Sequence, residues 1–349
     1  MEVYVGLEHI DPENLRIIRR GSSSDVKCKK LLVQPGQIIF GKRNAYLRKV
    51  AVADFSGICS AHAMVLEAIP AAILPEYLPF FMQSDIFMER AISISEGSMS
   101  PTIKWKTLAN QEFPLPPRSL QEHLVEIMTK IGKVIDVTEA FIYSLQRLNK
   151  ALENKLFQIS DFIKIGDFCN VNTGRTPSKA NPTHWGGNIN WMLSGEIHNR
   201  FITDTAKKIT ENAVKELKLR LLPKNTVLLA INGQGKTRGN VAITKVPLTC
   251  NESLAALICD EKKILPDFLY FYLRTQYQNM RNLTGEGRVG LNTNLVKSIK
   301  VPFTDLKQQQ IICNLLYNVV NCGESLENKK KQLLQIKRKI LKFYLEGVT

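Results

Sequence analysis

Several features that are common in secreted, membrane and metal-binding proteins are missing from this sequence. No apolar run approaches the roughly 18 residues that a membrane-spanning helix needs. Residues 1–10 also lack the basic stretch and apolar core of a signal peptide. The seven cysteines are scattered and never spaced as Cys-x-x-Cys, which argues against a disulfide framework and a zinc site. These absences predict a cytoplasmic protein with reduced thiols and no membrane contact.

The residue patterns of common active sites are missing as well. The five histidines show no metal-ligand spacing. The only approach to the Asn-Pro-Pro-aromatic motif of amino-methyl transfer is Asn181-Pro182-Thr183-His184, which does not match it. We therefore expect no catalytic residue and no metal site in this chain.

What the sequence has in excess is positive charge. It contains 47 Lys and Arg against 32 Asp and Glu, a net charge of +15. A surplus of this size favours a polyanionic partner, with double-stranded DNA as the first candidate and an anionic membrane surface as the second. The alternative is a basic protein whose charge has no specific partner.

The chain repeats itself with a period close to 188 residues. Apolar residues spaced alternately four and three apart begin at Ile127 and end at Leu152, and seven of the eight positions 188 residues later are also apolar. Such a stripe, sustained over three to four heptads, predicts two long helices that pair with each other. Upstream, the segment 73–78 matches 264–269, and 120–122 resembles 306–308.

Short β-like runs bounded by Gly, Pro or Asn fill the regions between these landmarks. They are residues 37–40, 49–52, 226–229 and 240–243. The predicted fold class is α+β, with two mixed α/β domains separated by two long antiparallel coiled-coil helices in a pseudo-twofold repeat. The predicted boundaries are residues 1–118 for the first domain, 119–160 for the first long helix, 161–304 for the second domain and 305–349 for the second long helix.

The long helices predict how such a molecule would meet DNA. A helix over residues 127–156 would measure about 45 Å at 1.5 Å per residue. That length matches roughly 13 base pairs at 3.4 Å each. Two readers held about one helical turn apart predict a split recognition site whose middle bases are not read.

The loop between two β-like runs is basic in both copies. We predict DNA contacts from these hairpin tips, because their side chains offer donors to phosphates and base edges. The predicted residues are Lys42, Arg43, Asn44, Tyr46 and Arg48 in the first copy, and Gln234, Lys236, Thr237 and Arg238 in the second. The alternative for either loop is a solvated charged hairpin.

Two further polar or glycine-rich turns in the second copy, and one position in the first, complete the predicted DNA-binding set. These residues are Arg175, Thr176, Arg288, Asn292 and, in the first copy, Lys104. On the second long helix, residues 329–331 and 337–339 are basic runs that we expect to be solvated, or to face DNA or an acidic partner helix.

Residues 230–237 also come close to a phosphate-binding loop, with Ala230 in place of the first Gly. A P-loop ATPase that uses Lys236 and Thr237 is therefore an alternative function. It requires a helix directly after the loop, whereas Arg238-Gly239-Asn240-Val241 is typical of a turn followed by a strand.

Taken together, these segments resemble the specificity subunit of Type I restriction–modification systems. The residues that carry the resemblance are Tyr4–Ile10, Ile165-Gly166-Asp167, Asn172–Pro177, Trp185-Gly186-Gly187, Ile189-Asn190-Trp191, Gly233–Gly239 and Val301-Pro302. They span nearly the whole chain, and their order together with the duplicated layout is fairly specific.

The resemblance implies that each α/β domain reads one half of a split DNA site. It also implies that the helices act as a ruler and as a docking platform for two modification (methyltransferase) subunits, joined by restriction (translocase and endonuclease) subunits. S-adenosylmethionine, ATP and Mg²⁺ would then lie on those partners, and this chain would be non-catalytic.

One departure from the family pattern leaves alternatives open. Residues 165–190 have no counterpart in the first copy, so the first domain is expected to lack its usual opening segment. Either the chain is a truncated or recombined allele, or its C-terminus covers the gap. A coiled-coil scaffold that reads no DNA is the remaining alternative.

Overall fold

A computed structural model describes residues 2–26, 30–233, 236–282 and 290–346. The chain forms two compact units. Unit 1 comprises Met1–Tyr143 together with Ser325–Thr349, and unit 2 comprises Ser144–Glu324. The last helix of the chain therefore contributes its first half to unit 2 and its second half to unit 1.

The described residues of unit 1 form two small sheets built from seven short strands. The strands are β1 (Val3–Val5), β2 (Gly21–Ser22), β3 (Leu31–Val33), β4 (Ile38–Gly41), β5 (Val50–Val52), β6 (Gly57–Cys59) and β7 (Ala63–Leu66). One sheet has the order β2-β1-β6-β3, in which β1 and β6 are parallel, and the other is the antiparallel sheet β5-β4-β7. The strand residues Ile38, Phe40 and Val50 pack into one core with the helices.

The helices of unit 1 are three short ones and the start of a long one. They are α1 (Leu78–Met82), α2 (Asp85–Ser93), α3 (Trp105–Ala109) and α4 (Arg118–Leu156). The hydroxyl of Ser84 accepts a hydrogen bond from the Phe87 amide and so caps α2. Leu124 and Met128 of α4 pack in the same core as Leu341 and Leu345, near the C-terminal end of the chain.

The described part of unit 2 contains ten strands in three sheets. The strands are β8 (Phe162–Lys164), β9 (Cys169–Thr173), β10 (Trp185–Met192), β11 (Phe201–Ile202), β12 (Lys207–Ile209), β13 (Val227–Ala230), β14 (Val241–Thr244), β15 (Thr249–Cys250), β16 (Leu254–Cys259) and β17 (Lys300–Pro302). The sheet orders are β12-β10-β15, β11-β14-β13-β16-β9 and β17-β8. β13 and β16 have buried side chains along most of their length, as expected for central strands.

The helices of unit 2 are α5 (Glu211–Glu216), α6 (Pro266–Thr275), α7 (Tyr277–Asn282), α8 (Thr293–Ser298) and the first half of α9 (Leu306–Glu346). Pro266 occupies the first turn of α6, where its missing N–H costs nothing. The buried face of α6 packs with Ile312 and Leu316 of α9 in the main core of this unit, against which Leu152 and Leu156 of α4 also pack.

The two units repeat one topology, which confirms the internal repeat. The antiparallel trio β5-β4-β7 corresponds to β14-β13-β16, and the parallel pair β1 and β6 corresponds to β10 and β15. All four predicted strand segments are confirmed as β4, β5, β13 and β14. In unit 2, β9 adds a further strand beside β16, and β7 has no such neighbour among the described residues of unit 1.

A buried glutamine near the start of each long helix marks the repeat at atomic detail. Gln121 donates to the Pro116 carbonyl and accepts from the Leu74 amide, both at 2.9 Å. Gln309 accepts from the Leu265 amide at 2.8 Å and donates to two carbonyls, those of Lys263 and Thr304. The expected pairing of residues 120–122 with 306–308 is therefore displaced, because position 121 corresponds to 309.

Both long helices are confirmed, but three of the eight predicted contact positions on α4 were assigned to the wrong face. The positions that are buried or half-buried run through Met128, Ile131, Ile135, Thr138, Ile142 and Leu145. Val134, Phe141 and Leu148, which we predicted as contact positions, are 44%, 59% and 47% exposed. Both stripes alternate three- and four-residue steps and share Ile131, Thr138 and Leu145, so periodicity alone does not separate them.

No helix in the described part of the chain is long and apolar enough to cross a membrane. Six cysteines are free thiols, four of them buried, namely Cys59, Cys169, Cys250 and Cys313. Cys28 lies outside the described residues.

Candidate nucleic-acid interface

The second hairpin tip is the loop between β13 and β14. The chain enters it at Ile231 and returns at Asn240, whose carbonyl accepts from the Ala230 amide at 2.9 Å. Lys236 is exposed at the tip, while its carbonyl accepts a hydrogen bond from the Tyr277 hydroxyl at 3.0 Å. The backbone of the tip is thus fixed and the ammonium group points to solvent. Gln234 lies outside the described residues.

Thr237 and Arg238 are half-buried, on the return side of the tip. The guanidinium of Arg238 donates to the Arg281 carbonyl at 3.4 Å. Gly239 has φ +90° and its Cα lies so close to the Tyr277 carbonyl that a Cβ would meet it at 3.1 Å. Glycine is required here for both reasons, and it lets the chain turn into β14.

That turn argues against the P-loop alternative. A phosphate-binding loop needs a helix directly after its Lys-Thr pair, with the helix N-terminus facing the phosphates. Here the residues after Thr237 form a turn and then strand β14, which pairs antiparallel with β13. No helix follows within the described segment 236–265.

The first hairpin tip, between β4 and β5, is held against the segment 100–103. Asn44, at φ 56°, donates its amide to the Pro101 carbonyl at 2.8 Å. The Arg43 guanidinium donates to the Ser100 hydroxyl at 2.9 Å, and the Lys42 carbonyl accepts from the Ile103 amide. Tyr46 projects from this tip and is 55% exposed.

Arg48 has a structural environment that differs from that of its neighbours in the tip. Its guanidinium pairs with Asp85 at 2.8 Å and Glu13 at 3.4 Å, and donates to the Gln83 carbonyl at 2.6 Å. The two carboxylates already balance the charge of this guanidinium. The geometry therefore gives Arg48 an intramolecular role, and we leave it out of the proposed DNA contacts.

Lys104, at the N-terminus of α3, lies near the first tip because Ile103 contacts Lys42. Its ammonium group pairs with Glu96 at 2.6 Å, and both side chains are more than half exposed. An exposed pair of this kind contributes little to stability, so Lys104 can exchange Glu96 for a phosphate at small cost.

Arg175 and Thr176 follow strand β9. The Arg175 amide donates to the Cys250 carbonyl at 3.0 Å, and its own carbonyl accepts from the Trp191 indole at 3.0 Å. The backbone is therefore anchored on both sides while the side chain is exposed. The Thr176 hydroxyl donates to Glu252 at 2.6 Å, which commits its proton to an internal contact.

Asn292 caps α8, because its side-chain oxygen accepts from the Leu295 amide at 2.8 Å. The adjacent Leu291 amide donates to the Ile231 carbonyl, which places Asn292 near the base of the second tip. Arg288, predicted from the same glycine-rich turn, lies outside the described residues.

Sequence reasoning missed two groups of cationic residues in unit 2. Lys218 and Arg220 join Arg175 around a cavity of about 410 Å³. Lys179, Lys207 and Lys208 surround Trp185 at a second cavity of about 390 Å³. The available signal was the run Lys215-Glu216-Leu217-Lys218-Leu219-Arg220, which reads as an ordinary charged segment until the fold brings it beside Arg175.

The basic run on α9 is partly buried, which departs from the expected solvated face. Lys337 is 6% exposed and donates to the Glu13 carbonyl at 3.1 Å and to Gln83 Oε1 at 2.5 Å. Burial lowers its pKa to about 8, although the nearby carboxylates of Glu13 and Asp136 oppose that shift. Arg338 pairs with Glu13 at 2.6 Å, and that hydrogen bond raises the pKa of Arg338.

Comparison with known proteins gives consistent matches. The model of a family described as Type I restriction modification DNA specificity domain matches residues 6–147 and 160–335. The Type I restriction enzyme MjaIX specificity subunit of Methanocaldococcus jannaschii is 32% identical over 178 residues, which is 49% of this chain and 40% of that relative. The putative type I restriction enzyme MjaX specificity subunit of the same organism is 22% identical to this chain. The match includes 98% of this chain and 85% of that relative.

A solved structure gives the same fold. The crystal structure of a Type-I restriction-modification system S subunit from M. genitalium superimposes with a TM-score of 0.61 at 16% identity, covering 97% of this chain and 90% of that one. The two segments matched by the family model take in most of the chain, one in each repeat. The chain therefore belongs to the family of Type I restriction modification DNA specificity domains.

Proposed function

We propose that this chain is the DNA-reading specificity subunit of a Type I restriction–modification complex. The observation that carries the proposal is the repeated hairpin tip. Each unit places polar and cationic side chains between two equivalent strands, Tyr46 with Lys42 and Arg43 in one and Lys236 with Thr237 in the other. The two tips differ in residues, as two readers of different half-sites would.

The charge distribution supports DNA as the ligand. Residues 144–324 hold 24 Lys and Arg against 14 Asp and Glu, so most of the surplus charge lies in unit 2. A cationic surface raises the local concentration of DNA and speeds encounter. In this role the chain is a binding subunit without chemistry of its own. S-adenosylmethionine, ATP and Mg²⁺ belong to the modification and restriction subunits.

The exposed apolar stripe on α4 supports partner docking. Val134, Val137 and Phe141 lie on one face of the helix and are 44%, 56% and 59% exposed. Exposed apolar rows of this kind are typical of protein interfaces. We assign this stripe to a modification subunit, and the equivalent helix α9 to a second one. A subunit that reads chromosomal DNA works in the cytoplasm, where the free cysteines would stay reduced.

The test compares affinity for specific and random duplexes in the assembled methyltransferase. With this chain present, the complex should bind its own split site at least about 10³-fold more tightly than random DNA at physiological salt. Modification subunits alone are the control. If they discriminate equally well without this chain, the chain is a scaffold and the proposal fails.

A variant pair links the discrimination to the tips. Lys236→Ala should weaken binding at one half-site by about 1–3 kcal/mol if the side chain reads a base. Lys262→Ala, which removes an exposed charge of the same unit away from the tip, should leave the discrimination unchanged. Equal effects of the two substitutions would mean that the tip does not determine the discrimination.

A further inference from the structure

We infer that Arg175, Lys218 and Arg220 form a phosphate-binding pocket that grips the DNA backbone beside the second half-site. This inference rests on the proposed function and names what this part of unit 2 holds. The three side chains line one cavity of about 410 Å³, together with the hydroxyl-bearing Thr173 and Thr293.

The chemistry of the lining selects a phosphate. Among the described residues, the charged ones that line the cavity are all cationic, and none carries a carboxylate. Ammonium and guanidinium groups only donate hydrogen bonds, and the oxygens of a phosphodiester only accept them. A guanine edge in the major groove also presents two acceptors, but it carries no negative charge to balance three cations.

The cations of the pocket form no ion pair in the described part of the chain. Within the described part of the chain, the ion pairs involve other residues, and none includes Arg175, Lys218 or Arg220. Three like charges around one cavity repel one another. A bound phosphate would relieve that repulsion and release counterions from the DNA.

The frame behind these side chains is rigid. Arg175 is anchored through both of its backbone groups, to Cys250 and Trp191. Lys218 and Arg220 flank Leu219, which is buried and whose amide donates to the Val214 carbonyl at 2.9 Å. The fold thus fixes the Cα positions, and the exposed side chains can adjust to a phosphate.

The backbone of Lys218 provides a second, independent observation. It lies just beyond the C-terminus of α5 with φ 49°, in the left-handed region. Glycine or asparagine usually occupies this position of a helix C-terminus, because other side chains are strained there. A lysine at such a place indicates that its side chain is kept for a reason other than folding.

This strain allows a test in which binding and stability should move in opposite directions. Lys218→Gly removes the charge and relieves the backbone, whereas Lys218→Arg keeps both the charge and the strain. We expect Lys218→Gly to unfold at the same or a higher temperature than the parent chain and to bind a labelled random-sequence duplex several-fold more weakly. Lys218→Arg should match the parent in both measurements.

Salt dependence measures how many DNA phosphates the pocket neutralises. The slope of log affinity against log salt should fall by about 0.9 for each phosphate that is no longer neutralised. Replacing all three residues, as Arg175→Ala, Lys218→Gly and Arg220→Ala, should lower it by about 0.9 for the one phosphate that the pocket holds, while leaving the preference between specific and random duplexes unchanged. Lys262→Ala removes one exposed charge outside the pocket and should leave the slope within error, because Lys262 lines neither of the two cationic cavities.

The possible outcomes separate this inference from the proposed function. Tight binding with an unchanged slope in the triple variant overturns the pocket and leaves DNA reading intact. A selective loss at one half-site means that the three residues read bases. Inorganic phosphate that protects the pocket from heat, in a complex that binds no DNA, would assign it to a free anion and contradict both.

Discussion

At the scale of single residues, Lys337 shows how a charged side chain becomes part of a core. It lies on α9 and is enclosed by Gln83, Glu13 and the ring of Phe80, with its ammonium group 5.8 Å from that ring. Each donated hydrogen bond offsets part of the cost of burying the charge. The remaining cost appears as a pKa lowered to about 8.

The lowered pKa predicts how stability depends on pH. In the unfolded chain the same lysine titrates near 10.5, so between about pH 8 and 10.5 the unfolded state binds more protons than the folded state. The contribution of Lys337 to the free energy of unfolding should then rise with pH, by about 3 kcal/mol across that window. Below pH 8 both states are protonated and the contribution is constant.

The measurement is denaturant unfolding at pH 7 and pH 10 for the parent chain, Lys337→Met and Lys339→Met. Lys339 is exposed on the same helix and serves as the matched control. The parent should gain about 3 kcal/mol relative to Lys337→Met on going to the higher pH, and nothing relative to Lys339→Met. An equal response of the two variants would contradict the burial of Lys337.

Sequence could predict which residues are cationic but not which of them are free. Arg48 and Lys236 are both cationic residues in equivalent loops. However, Arg48 pairs with Asp85 and Glu13, whereas Lys236 is exposed. Partners that lie 35 or more residues away along the chain leave no local pattern. For the same reason, the approach of Lys218 to Arg175 could not be anticipated.

At the scale of elements, the start of each long helix is locked to its unit by one glutamine. Gln309 satisfies three backbone groups at once, on Leu265, Lys263 and Thr304. Gln121 does the same for two groups in the other unit. Backbone groups buried without a partner are costly, so this side chain joins the helix to the loop before α6.

Gln309→Leu should therefore lower the free energy of unfolding by about 2–4 kcal/mol, because it leaves those groups without partners. Gln308→Leu, one residue earlier on the exposed face, should change it by less than about 0.5 kcal/mol. Urea denaturation of both variants measures the difference. Similar losses in the two would mean that the glutamine network contributes nothing beyond its neighbours.

The existence and length of the two long helices could be predicted from the heptad spacing, since apolar residues recur over many turns. The face that is buried could not, because α4 carries two apolar stripes that share Ile131, Thr138 and Leu145. Met128 and Ile135 belong only to the buried stripe, and Val134 and Phe141 belong only to the exposed stripe. Only packing inside unit 1 distinguishes them.

The exposed apolar stripe on α4, which contains Val134, Val137 and Phe141, predicts a contact with a partner subunit. Phe141→Glu should abolish or strongly weaken capture of the modification subunit, because it places a charge in the centre of an apolar interface. It should leave the melting temperature of the isolated chain nearly unchanged. Tyr143→Glu is the control, since Tyr143 is also an exposed aromatic residue but projects from another face of α4.

The readout is co-purification of the chain with its modification subunit, followed by thermal unfolding of the isolated variants. Loss of capture for Tyr143→Glu but not for Phe141→Glu would place the interface on the other face. A lower melting temperature of Phe141→Glu would mean that the Phe141 side chain stabilises the fold of unit 1.

At the scale of the whole molecule, the chain contains two copies of one topology that differ in their charge. The strand trio and the glutamine at the helix start are present in both units, while β9 and the cationic cavities were found only in unit 2 of the described chain. The surplus of Lys and Arg over Asp and Glu is 10 in unit 2 and 5 in unit 1. We therefore expect unit 2 to supply more of the non-specific DNA affinity than unit 1.

The central claim is that both units read DNA, each on its own half-site. The most direct test is methylation mapping in a host that expresses this chain with its modification subunits. The account predicts adenine methylation at one split motif, with an unread spacer between two different half-sites. A half-motif or its palindrome would mean that unit 1 reads nothing. Absence of new methylation in a complex that still assembles would contradict DNA reading by this chain.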